Sequence, residues 1–377
     1  MSAIKNLSLI GASDSIGTIL AAGFWFYIAT LLEPELYGEI FYFLSIGGVA
    51  AAIATFGTEQ SISVYVSKKI RIESTLYLIS LLAGAIISLV VILFYSRLDI
   101  GLLIIGYILN TLALSELVGK KLFSKYAKYS LTNKFLILAL GIIFYYTFGI
   151  EGIIYAIALS YFPYAIVVYN GFRNTKVDFS VLKPRVSFVT ETYFLQLTQV
   201  ARSQGDKLVI LPIVGITVLG NYSLALHVVL VAIMIPQIAY KYILPHEATG
   251  NPKTNLKKIT ILVSVFVSIV GIIISPYIIT EIFPKYDEAI DAIQIMLLAL
   301  IPSSIYTMLL TKFLSLEKGK IILIDRLVAA VSLIIGIIIL GTYFGIIGIS
   351  IAYVISTVTQ VIILLYADRS ILKNSKL

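Results

Sequence analysis

Six polar residues with helical spacing stand inside an otherwise apolar stretch near the middle of the sequence. Steps of one, three and four residues place them along one side of a helix predicted over residues 190–213: Gln196, Gln199, Arg202, Ser203, Asp206 and Lys207. Ionisable groups are costly in hydrocarbon and by default mark a polar pathway or a buried ion pair. The charged members of this stripe sum to +1, which suits an anionic ligand in an aqueous cavity. The alternative is structural, with Arg202 and Asp206 pairing four residues apart to join the helix to a neighbour.

Two carboxylates, Asp14 and Glu59, lie inside apolar stretches of the first part of the chain. Each is a candidate cavity carboxylate or coupling-ion site, since a carboxylate in low dielectric has a raised affinity for protons and cations. Each could instead bond nearby serine hydroxyls. Glu116 stands one turn from Lys120 and is predicted to be interfacial, while His227 is predicted to be an interior histidine rather than a ligand.

The elements that must position these residues are membrane-spanning helices. Hydrophobic residues make up 59% of the chain and charged residues 13%, with a mean hydropathy of +0.99, which is far from the composition of a soluble domain. Apolar stretches long enough to cross a hydrocarbon core of about 30 Å recur throughout. We predict twelve spans, over residues 8–31, 40–64, 76–96, 100–118, 134–149, 152–170, 190–213, 220–244, 259–280, 290–311, 321–342 and 346–366. The fifth is short and requires either Lys134 to snorkel to the interface or the bilayer to thin.

The charges of the loops test this count, because loops rich in Lys and Arg face the cytoplasm. Loops on one side hold 24 of the 28 basic residues. The other side holds Arg97 and Lys285 together with two acidic clusters, namely Glu33, Glu35 and Glu39, and Glu281, Asp287, Glu288 and Asp291. We therefore predict a multi-pass protein of the cell (plasma) membrane with both termini in the cytoplasm. The same loops explain the net charge of +8, so no nucleic acid partner is expected.

The two halves of the sequence resemble each other. FGIEGIIYAIALS, residues 148–160, matches FGIIGISIAYVIS, residues 344–356, at seven of thirteen positions, and each segment closes its half. Six spans in each half is an even number, so the copies share one orientation and form a parallel repeat. We predict an all-α polytopic membrane protein with two six-helix lobes. Residues 1–175 would hold spans one to six, residues 176–189 a cytoplasmic linker, and residues 190–377 spans seven to twelve with a short basic tail.

Sequence signatures of an enzyme are missing. The sequence has no glycine-rich phosphate loop with a following Lys, so it does not indicate a nucleotide-driven pump, and no HExxH motif. It has no cysteine, which excludes thiolate metal sites and disulfides. No loop is long enough for a soluble catalytic domain. We predict a transporter without catalytic residues, metal or cofactor, apart from a coupling cation, either a proton or sodium.

Several segments carry a family resemblance through their order along the chain. They read LEPELYGEIFYF at residues 32–43, QVARSQGDKLVIL at 199–211, LGNYSLA at 219–225, LPH at 244–246, FPKYDEAIDAIQIML at 283–297 and the closing repeat. Together they resemble the polysaccharide (O-antigen-type) repeat-unit flippases of the multidrug/oligosaccharidyl-lipid/polysaccharide exporter superfamily, over nearly the whole chain. The resemblance implies two six-helix lobes in a V around a central cavity. Arg202, Asp206 and Lys207 would line the cavity from the second lobe, and Asp14 and Glu59 from the first.

The resemblance implies a flippase that moves a polyprenyl-linked oligosaccharide across the cell membrane by alternating access, for surface polysaccharide or glycoconjugate biosynthesis. Implied partners are the lipid-linked oligosaccharide, membrane lipids and glycan assembly proteins. The twelve predicted spans do not include the extra pair usual in the peptidoglycan-precursor flippase branch, which argues against that branch. The sequence also lacks a dense set of cavity arginines, which bears on how anionic the substrate is. The nearest alternative is a cation-coupled multidrug exporter of the same fold. A third alternative is a membrane-embedded glycan polymerase or ligase, which would need a long outer loop. A fourth is a non-transporting scaffold, which would tolerate loss of the intramembrane charges.

Overall fold

A computed structural model describes residues 2–374, with the side chains of residues 11, 13–244, 246–247 and 249–369. Within this part of the chain the regular elements are all helical. The α-helices are α1 (Ser2–Leu31), α2 (Pro34–Thr55), α3 (Thr58–Ser67), α4 (Glu73–Tyr95), α5 (Leu98–Gly119), α6 (Phe123–Phe148), α7 (Ile150–Ser160), α8 (Ala165–Asn174), α9 (Phe179–Leu182), α10 (Val186–Val214), α11 (Ile216–Ala248), α12 (Thr254–Ile282), α13 (Glu288–Leu297), α14 (Leu300–Ser315) and α15 (Gly319–Asn374). The predicted basic tail includes Lys376, which lies outside the described residues. Three other residues of the predicted loops and segments, namely Lys5, Pro245 and Lys373, lie outside the described side chains.

The helices have the length and composition of membrane spans. Among the described residues, ten helical segments are long and apolar enough to cross a membrane. The last of these contains two predicted spans, separated at Gly345, where the backbone has a φ of 55°. The charged seventh span forms α10, a helix of 29 residues. Each of the twelve predicted spans therefore contains a helix, and the chain is an all-α, multi-pass membrane protein as predicted.

The predicted second span, residues 40–64, is wrong as one continuous helix. α2 ends at Thr55, and α3 begins only after Phe56 and Gly57, whose φ values are 46° and 72°. Gly57 is required at this break for two reasons. Its positive φ is strained for residues with a Cβ, and a Cβ there would lie 2.4 Å from the backbone nitrogen of Tyr193 in α10.

The predicted fifth span, residues 134–149, is too short. α6 has 26 residues and extends eleven residues before Lys134, so this lysine lies near the middle of the helix instead of at its end. The prediction failed because the first turns of α6 are rich in polar residues, including Lys125 and Lys128. A helix of this length crosses the membrane without any thinning of the bilayer.

The structure repeats the hairpin that closes each half of the sequence. Gly149, with a φ of 70°, separates α6 from α7, and Gly345 occupies the matching position within α15. Three residues later, a Cβ at Gly152 would lie 2.3 Å from a carbonyl oxygen of the preceding helix, and a Cβ at Gly348 would lie 1.9 Å from the matching oxygen. Glycine is needed at the same places in both copies, which confirms the repeat seen in the sequence.

A cross-helix hydrogen bond is repeated at the same offset. In the first copy, Asn133 donates from Nδ2 to the carbonyl oxygen of Ser160, over 3.0 Å. In the second copy, the Oγ of Ser356 donates to the carbonyl oxygen of Ala329, over 2.8 Å. The donor changes sides, but the two positions that are joined correspond.

The chain forms two compact units. Unit 1 comprises the chain up to Phe24 together with Phe43–Gln204, and unit 2 comprises Trp25–Tyr42 together with the chain from Gly205 onward. α1, α2 and α10 thus contribute residues to both. The predicted lobes, residues 1–175 and 190–377 joined by a linker at 176–189, stay a prediction, and the two units are described separately below.

Unit 1 has a packed central helix, and each unit has a helix with a broad apolar outer face. In unit 1, α5 buries apolar residues on most of its circumference, including Leu103, Ile104, Ile108 and Leu112, as expected of a central helix. In contrast, α4 of unit 1 and α12 of unit 2 expose large apolar side chains at helical spacing: Leu82, Ile86, Leu89, Leu93, Leu262, Phe266, Ile269 and Ile273. Such faces are stable only against lipid.

Candidate functional site

Unit 1 brings the predicted carboxylates Asp14 and Glu59 near a lysine within α6. The Tyr126 hydroxyl donates a hydrogen bond to Asp14 and interacts electrostatically with Glu59. Lys134 interacts electrostatically with Asp14, and its stem packs on α1, where a Cβ at Gly17 would lie 3.2 Å from the Lys134 Cγ. The cluster therefore joins groups from α1, α3 and α6 within unit 1.

Lys134 supplies the positive charge of this cluster. A carboxylate in a low-dielectric site requires a counter-charge or hydrogen bonds, and Asp14 has Lys134 and Tyr126 as neighbours. A proton or sodium ion at Asp14 would remove the attraction that holds the Lys134 ammonium. The lysine stem can lie along apolar surface while its charged end moves between polar partners. Two carboxylates and one ammonium give the cluster a charge of −1 before such a cation binds.

The polar stripe of the seventh span begins in unit 1 with Gln196. Its Oε1 accepts a hydrogen bond from the Gly57 backbone nitrogen at 3.1 Å, and its Nε2 donates to the Thr55 Oγ1 at 2.9 Å. One turn earlier, Thr192 donates to the Gly57 carbonyl oxygen at 3.1 Å. Gln196 therefore anchors α10 to the break between α2 and α3, a role that its place in a polar stripe could not reveal.

Arg202 is the member of the stripe with an unmet hydrogen bond in unit 1. Its Nη1 is buried and has no hydrogen-bond partner among the described residues. Leaving a buried donor unsatisfied costs about 1–3 kcal/mol and more for a charged group, and a guanidinium has five N–H donors to satisfy. Its stripe neighbours Gln199 and Ser203 are exposed. The geometry favours an anionic or otherwise hydrogen-bond-accepting ligand at this guanidinium.

In unit 2, Asp206 and Lys207 form a buried ion pair together with Tyr222. These residues are 3%, 6% and 0% exposed. The Asp206 Oδ1 accepts hydrogen bonds from the Lys207 backbone nitrogen at 2.9 Å and from its Nζ at 3.1 Å. The Oδ2 accepts from the Tyr222 hydroxyl at 2.9 Å. Asp206 thus takes Lys207 as its ion-pair partner, and both carboxylate oxygens are hydrogen-bonded.

His227 lies beside this ion pair in an aromatic cluster. It interacts electrostatically with Lys207, and its Nδ1 is 2.7 Å from the backbone carbonyl oxygen one turn earlier. Its ring centroid lies 4.9 Å from that of Phe41, 5.9 Å from that of Trp25 and 6.4 Å from that of Tyr37. These contacts agree with the prediction of an interior histidine.

The acidic clusters predicted on the outer side meet in unit 2. Glu33 forms an ion pair with Lys285 at 2.9 Å, and Glu35 accepts a hydrogen bond from the Thr217 hydroxyl at 2.7 Å. The turn between α1 and α2 is thereby fixed to the start of α11 and to the turn before α13. The ion pair between Glu33 and Lys285 places residues 32–43 and 283–297, two of the segments that carried the family resemblance, side by side.

Asp325 is a buried carboxylate that the sequence analysis missed. It is 0% exposed, and its Oδ2 accepts a hydrogen bond from the Gln360 Nε2 at 3.3 Å. Its position next to Arg326, at the inner end of the predicted eleventh span, made it look like part of a charged loop. The signal that could have found it is Gln360, the one amide side chain inside the twelfth span.

Glu116, predicted to be interfacial, is buried within the protein beside Lys120. It is 3% exposed and accepts hydrogen bonds from the Tyr77 hydroxyl and the Lys120 ammonium. Glycine at position 171 allows α8 to come close, since a Cβ there would lie 3.0 Å from the Glu116 Oε2. Among the described residues, no group of three or more His, Asp or Glu side chains is arranged to hold a metal ion.

Comparison with known proteins shows the fold. No protein-family model matches the chain, and no curated protein does. Among solved structures, the chain is similar to an inward-facing multidrug resistance MATE family transporter of the MOP superfamily, with 17% identity over 96% of both chains and a TM-score of 0.73. It is also similar to the lipid II flippase MurJ in an inward closed conformation, with 16% identity over 96% of this chain and 87% of that one and a TM-score of 0.77. An outward-facing MATE transporter gives 18% identity over 99% and 96%, with a TM-score of 0.64.

These likenesses extend over almost the full length of each chain, while the identities are too low to show more than the fold. The fold is the all-α, twelve-helix, two-lobe fold of these transporters, as the resemblance implied.

Proposed function

We propose that the protein is a flippase of the MOP superfamily that moves a polyprenyl-linked oligosaccharide from the cytoplasmic to the outer leaflet of the cell membrane by alternating access. The likeness to MurJ, which is named as a lipid II flippase, supports a lipid-linked substrate. The ordered segments that resemble the polysaccharide repeat-unit flippases support an oligosaccharide head for surface polysaccharide or glycoconjugate biosynthesis.

The observation that carries the proposal is the buried, unsatisfied Nη1 of Arg202. The head of a polyprenyl-linked sugar includes a diphosphate, and a guanidinium binds phosphate oxygens through two parallel hydrogen bonds. A diphosphate would accept a hydrogen bond from the unsatisfied Nη1 of Arg202 and would supply the negative charge that a guanidinium attracts. A hydrophobic cation, the usual cargo of a multidrug exporter, would be repelled by this group.

The energy for directional transport would come from a cation gradient across the membrane, coupled through the unit 1 cluster. A ligand shifts a conformational equilibrium only through a difference in its affinity for the two states. We assign that difference to a cation, either a proton or sodium, which binds at Asp14 and is exchanged against Lys134. Glu59, which interacts with the same tyrosine as Asp14, would set the local negative potential.

Flipping in vesicles tests the substrate and the role of Arg202 together. The purified protein would be placed in vesicles with a polyprenyl diphosphate that carries a fluorescent oligosaccharide, and flipping read from the share of fluorophore reached by a membrane-impermeant quencher. We expect Arg202→Gln to lose most flipping and Arg202→Lys to lose less. The matched control is Arg71→Gln, which removes an exposed arginine in the turn between α3 and α4.

Two results would count against the proposal. Wild-type flipping by Arg202→Gln would remove the site assignment. Efflux of ethidium by the wild-type protein, with no movement of the lipid-linked oligosaccharide, would favour the multidrug exporter of the same fold.

A further inference from the structure

A short segment between α8 and α10 begins at a membrane surface. α8 ends the membrane-crossing stretch Ile150–Asn174. The chain then forms α9, a single 3-10 turn over Lys183–Arg185 and the start of α10. We name residues 173–186 the interfacial segment. It belongs entirely to unit 1 and lies on the side predicted to be cytoplasmic.

Three apolar side chains of the interfacial segment are exposed. Val177 is 41% exposed, Phe179 56% and Val186 50%. A single exposed apolar residue is ordinary in any protein. Three within ten residues, next to the end of a membrane-crossing stretch, instead form a small apolar surface that would be stabilised by burial.

Basic side chains are interleaved with these apolar ones. Arg173, Lys176 and Lys183 are exposed. Arg185 differs from them, because its guanidinium lies over the Tyr65 ring at 5.5 Å from the centroid and donates to a backbone carbonyl oxygen. Three cations thus stand beside the apolar surface, and a fourth is used for packing inside unit 1.

The polar side of the interfacial segment is fixed to α4. The Thr75 Oγ1 accepts a hydrogen bond from the Asp178 backbone nitrogen at 2.9 Å and donates to its carbonyl oxygen at 3.2 Å. The Oγ of Ser74 donates to the Thr175 carbonyl oxygen at 3.0 Å. Both α4 residues are completely buried. The segment is therefore held along one side, which leaves its apolar and basic residues on the other.

The Asp178 side chain starts the helical turn of the segment. It accepts hydrogen bonds from the Ser180 backbone nitrogen at 2.8 Å and from the Ser180 Oγ at 2.6 Å. These bonds hold the pKa of Asp178 below its usual value, so the cap remains charged at neutral pH. The single acidic side chain of the segment is thus engaged in its own backbone and does not neutralise the exposed cations.

We propose that the interfacial segment binds the anionic lipid head groups of the cytoplasmic leaflet. Val177, Phe179 and Val186 enter the region between head groups and acyl chains, and Arg173, Lys176 and Lys183 contact lipid phosphates. A combination of apolar anchors with flanking cations is the pattern by which protein segments lie in a membrane interface, and the anionic charge of that leaflet complements the three cations. The proposal is independent of the transported substrate.

The depth of the segment can be measured directly, because the chain has no cysteine. Phe179→Cys and, as a control, Asn251→Cys would each be spin-labelled in vesicles of phosphatidylcholine with phosphatidylglycerol. Asn251 is exposed in the turn between α11 and α12. We expect collisions with oxygen to dominate over collisions with an aqueous nickel chelate at position 179 and the reverse at 251. Equal access of the nickel chelate to both labels would overturn the proposal and point to a soluble protein as the partner.

Lipid preference tests the basic residues separately. A fluorophore attached to the single thiol of the Phe179→Cys variant would be quenched by nitroxide-labelled phosphatidylglycerol or by phosphatidylcholine with the same label. We expect stronger quenching by phosphatidylglycerol than by phosphatidylcholine. In Lys176→Gln/Lys183→Gln this preference should fall by about five-fold or more, since each cation near an anionic surface contributes about five-fold to the attraction.

Two controls make the lipid measurement decisive. Lys176→Arg/Lys183→Arg should keep the preference, which separates loss of charge from misfolding. Arg185→Gln should also keep it, because that guanidinium is engaged with Tyr65. Equal quenching by the two lipids in the chain with all its cations, or an unchanged preference in the Gln variant, would overturn the proposal.

Discussion

Gly38 and Gly220 pack backbone against backbone. A Cβ on Gly38 would lie 2.9 Å from the Gly220 nitrogen, and a Cβ on Gly220 would lie 1.8 Å from the Pro34 carbonyl oxygen. The two glycines belong to LEPELYGEIFYF and LGNYSLA, two of the segments that carry the family resemblance. Their contact gives those segments a physical reason, since α2 and α11 can approach this closely only where both lack a side chain.

The first prediction concerns this crossing. Gly220→Ala should destabilise the protein by about 1–3 kcal/mol or more, as overpacking does, because the new methyl group meets backbone and not a movable side chain. The measurement is the midpoint of thermal unfolding of the purified protein in detergent.

The control for this prediction is Gly205→Ala in α10. Nothing lies within 4 Å of a Cβ at Gly205, so alanine should leave the midpoint unchanged or raise it, since helix propensity adds up to about 1 kcal/mol to the free energy of unfolding. Equal effects of the two substitutions would show that the crossing is not tightly packed.

A second prediction separates backbone strain from steric fit. Gly57 and Gly149 both have a positive φ, 72° and 70°, but their ψ values differ. Gly57, with a ψ of 17°, is in the left-handed helical region, and Gly149, with a ψ of −152°, is in a region almost confined to glycine. A Cβ at Gly57 would meet the Tyr193 nitrogen at 2.4 Å, whereas one at Gly149 meets nothing within 4 Å. Gly149→Ala should therefore cost about 1–3 kcal/mol through backbone strain alone. Gly57→Ala should cost clearly more than the about 1–2 kcal/mol of left-handed strain, and a Gly57 variant that loses no more than this strain would contradict the contact with α10.

Gly57 also shows why the break between α2 and α3 could not be predicted. Residues 40–64 read as one apolar run, and one glycine within such a run is common in membrane helices. What ends α2 there is the approach of Thr192, Tyr193 and Gln196 from α10, more than 130 residues away in the sequence. Tertiary contact, rather than local preference, sets the end of this helix.

The distribution of charges along the sequence predicted the number of spans, but it did not predict the place of every single charged residue. The alternation of basic loops gave the correct number of spans, and the repeat of Gly149 at Gly345 was visible as identical letters. Lys134 was placed at the end of a span because the first turns of α6 are polar and look like a loop. Asp325 was missed because it stands near the inner end of a helix, where a charge in a loop and a charge in a span look alike. Tyr222, which holds Asp206, lies in LGNYSLA, one of the segments of the family resemblance, but nothing in that segment indicates which residue its hydroxyl meets.

A third prediction concerns the ion pair of unit 2. Asp206→Asn and Lys207→Met should each destabilise the protein strongly, by about 3–5 kcal/mol, because each leaves a buried charge without its partner. The double variant should cost less than the sum of the two, since it removes both charges. A double-mutant cycle of unfolding midpoints measures this coupling, and strict additivity would show that the two residues do not depend on each other.

Tyr222→Phe probes the same pair from its other side. It removes one hydrogen bond to a buried carboxylate and should cost about 1–3 kcal/mol. The same change in Asp206→Asn should cost less, because the amide no longer carries the charge that the hydroxyl stabilises. Equal costs in the two backgrounds would mean that the hydroxyl contributes through packing alone.

The last prediction tests the unit 1 cluster through transport. Asp14→Asn removes the carboxylate at which a cation would bind, and Lys134→Met removes the group with which the cation would be exchanged. Both variants should lose flipping that depends on a proton or sodium gradient, while passive exchange of the labelled lipid between leaflets, if the fold is intact, should continue.

The stability of the variants should follow a different order. Asp14→Asn/Lys134→Met removes both charges, so it should unfold at a higher temperature than Lys134→Met alone. A double variant with restored stability and no gradient dependence would assign these residues to coupling. Gradient-dependent flipping by Asp14→Asn at the wild-type rate would instead exclude Asp14 as the cation site. Glu59 would then be the remaining carboxylate of the cluster.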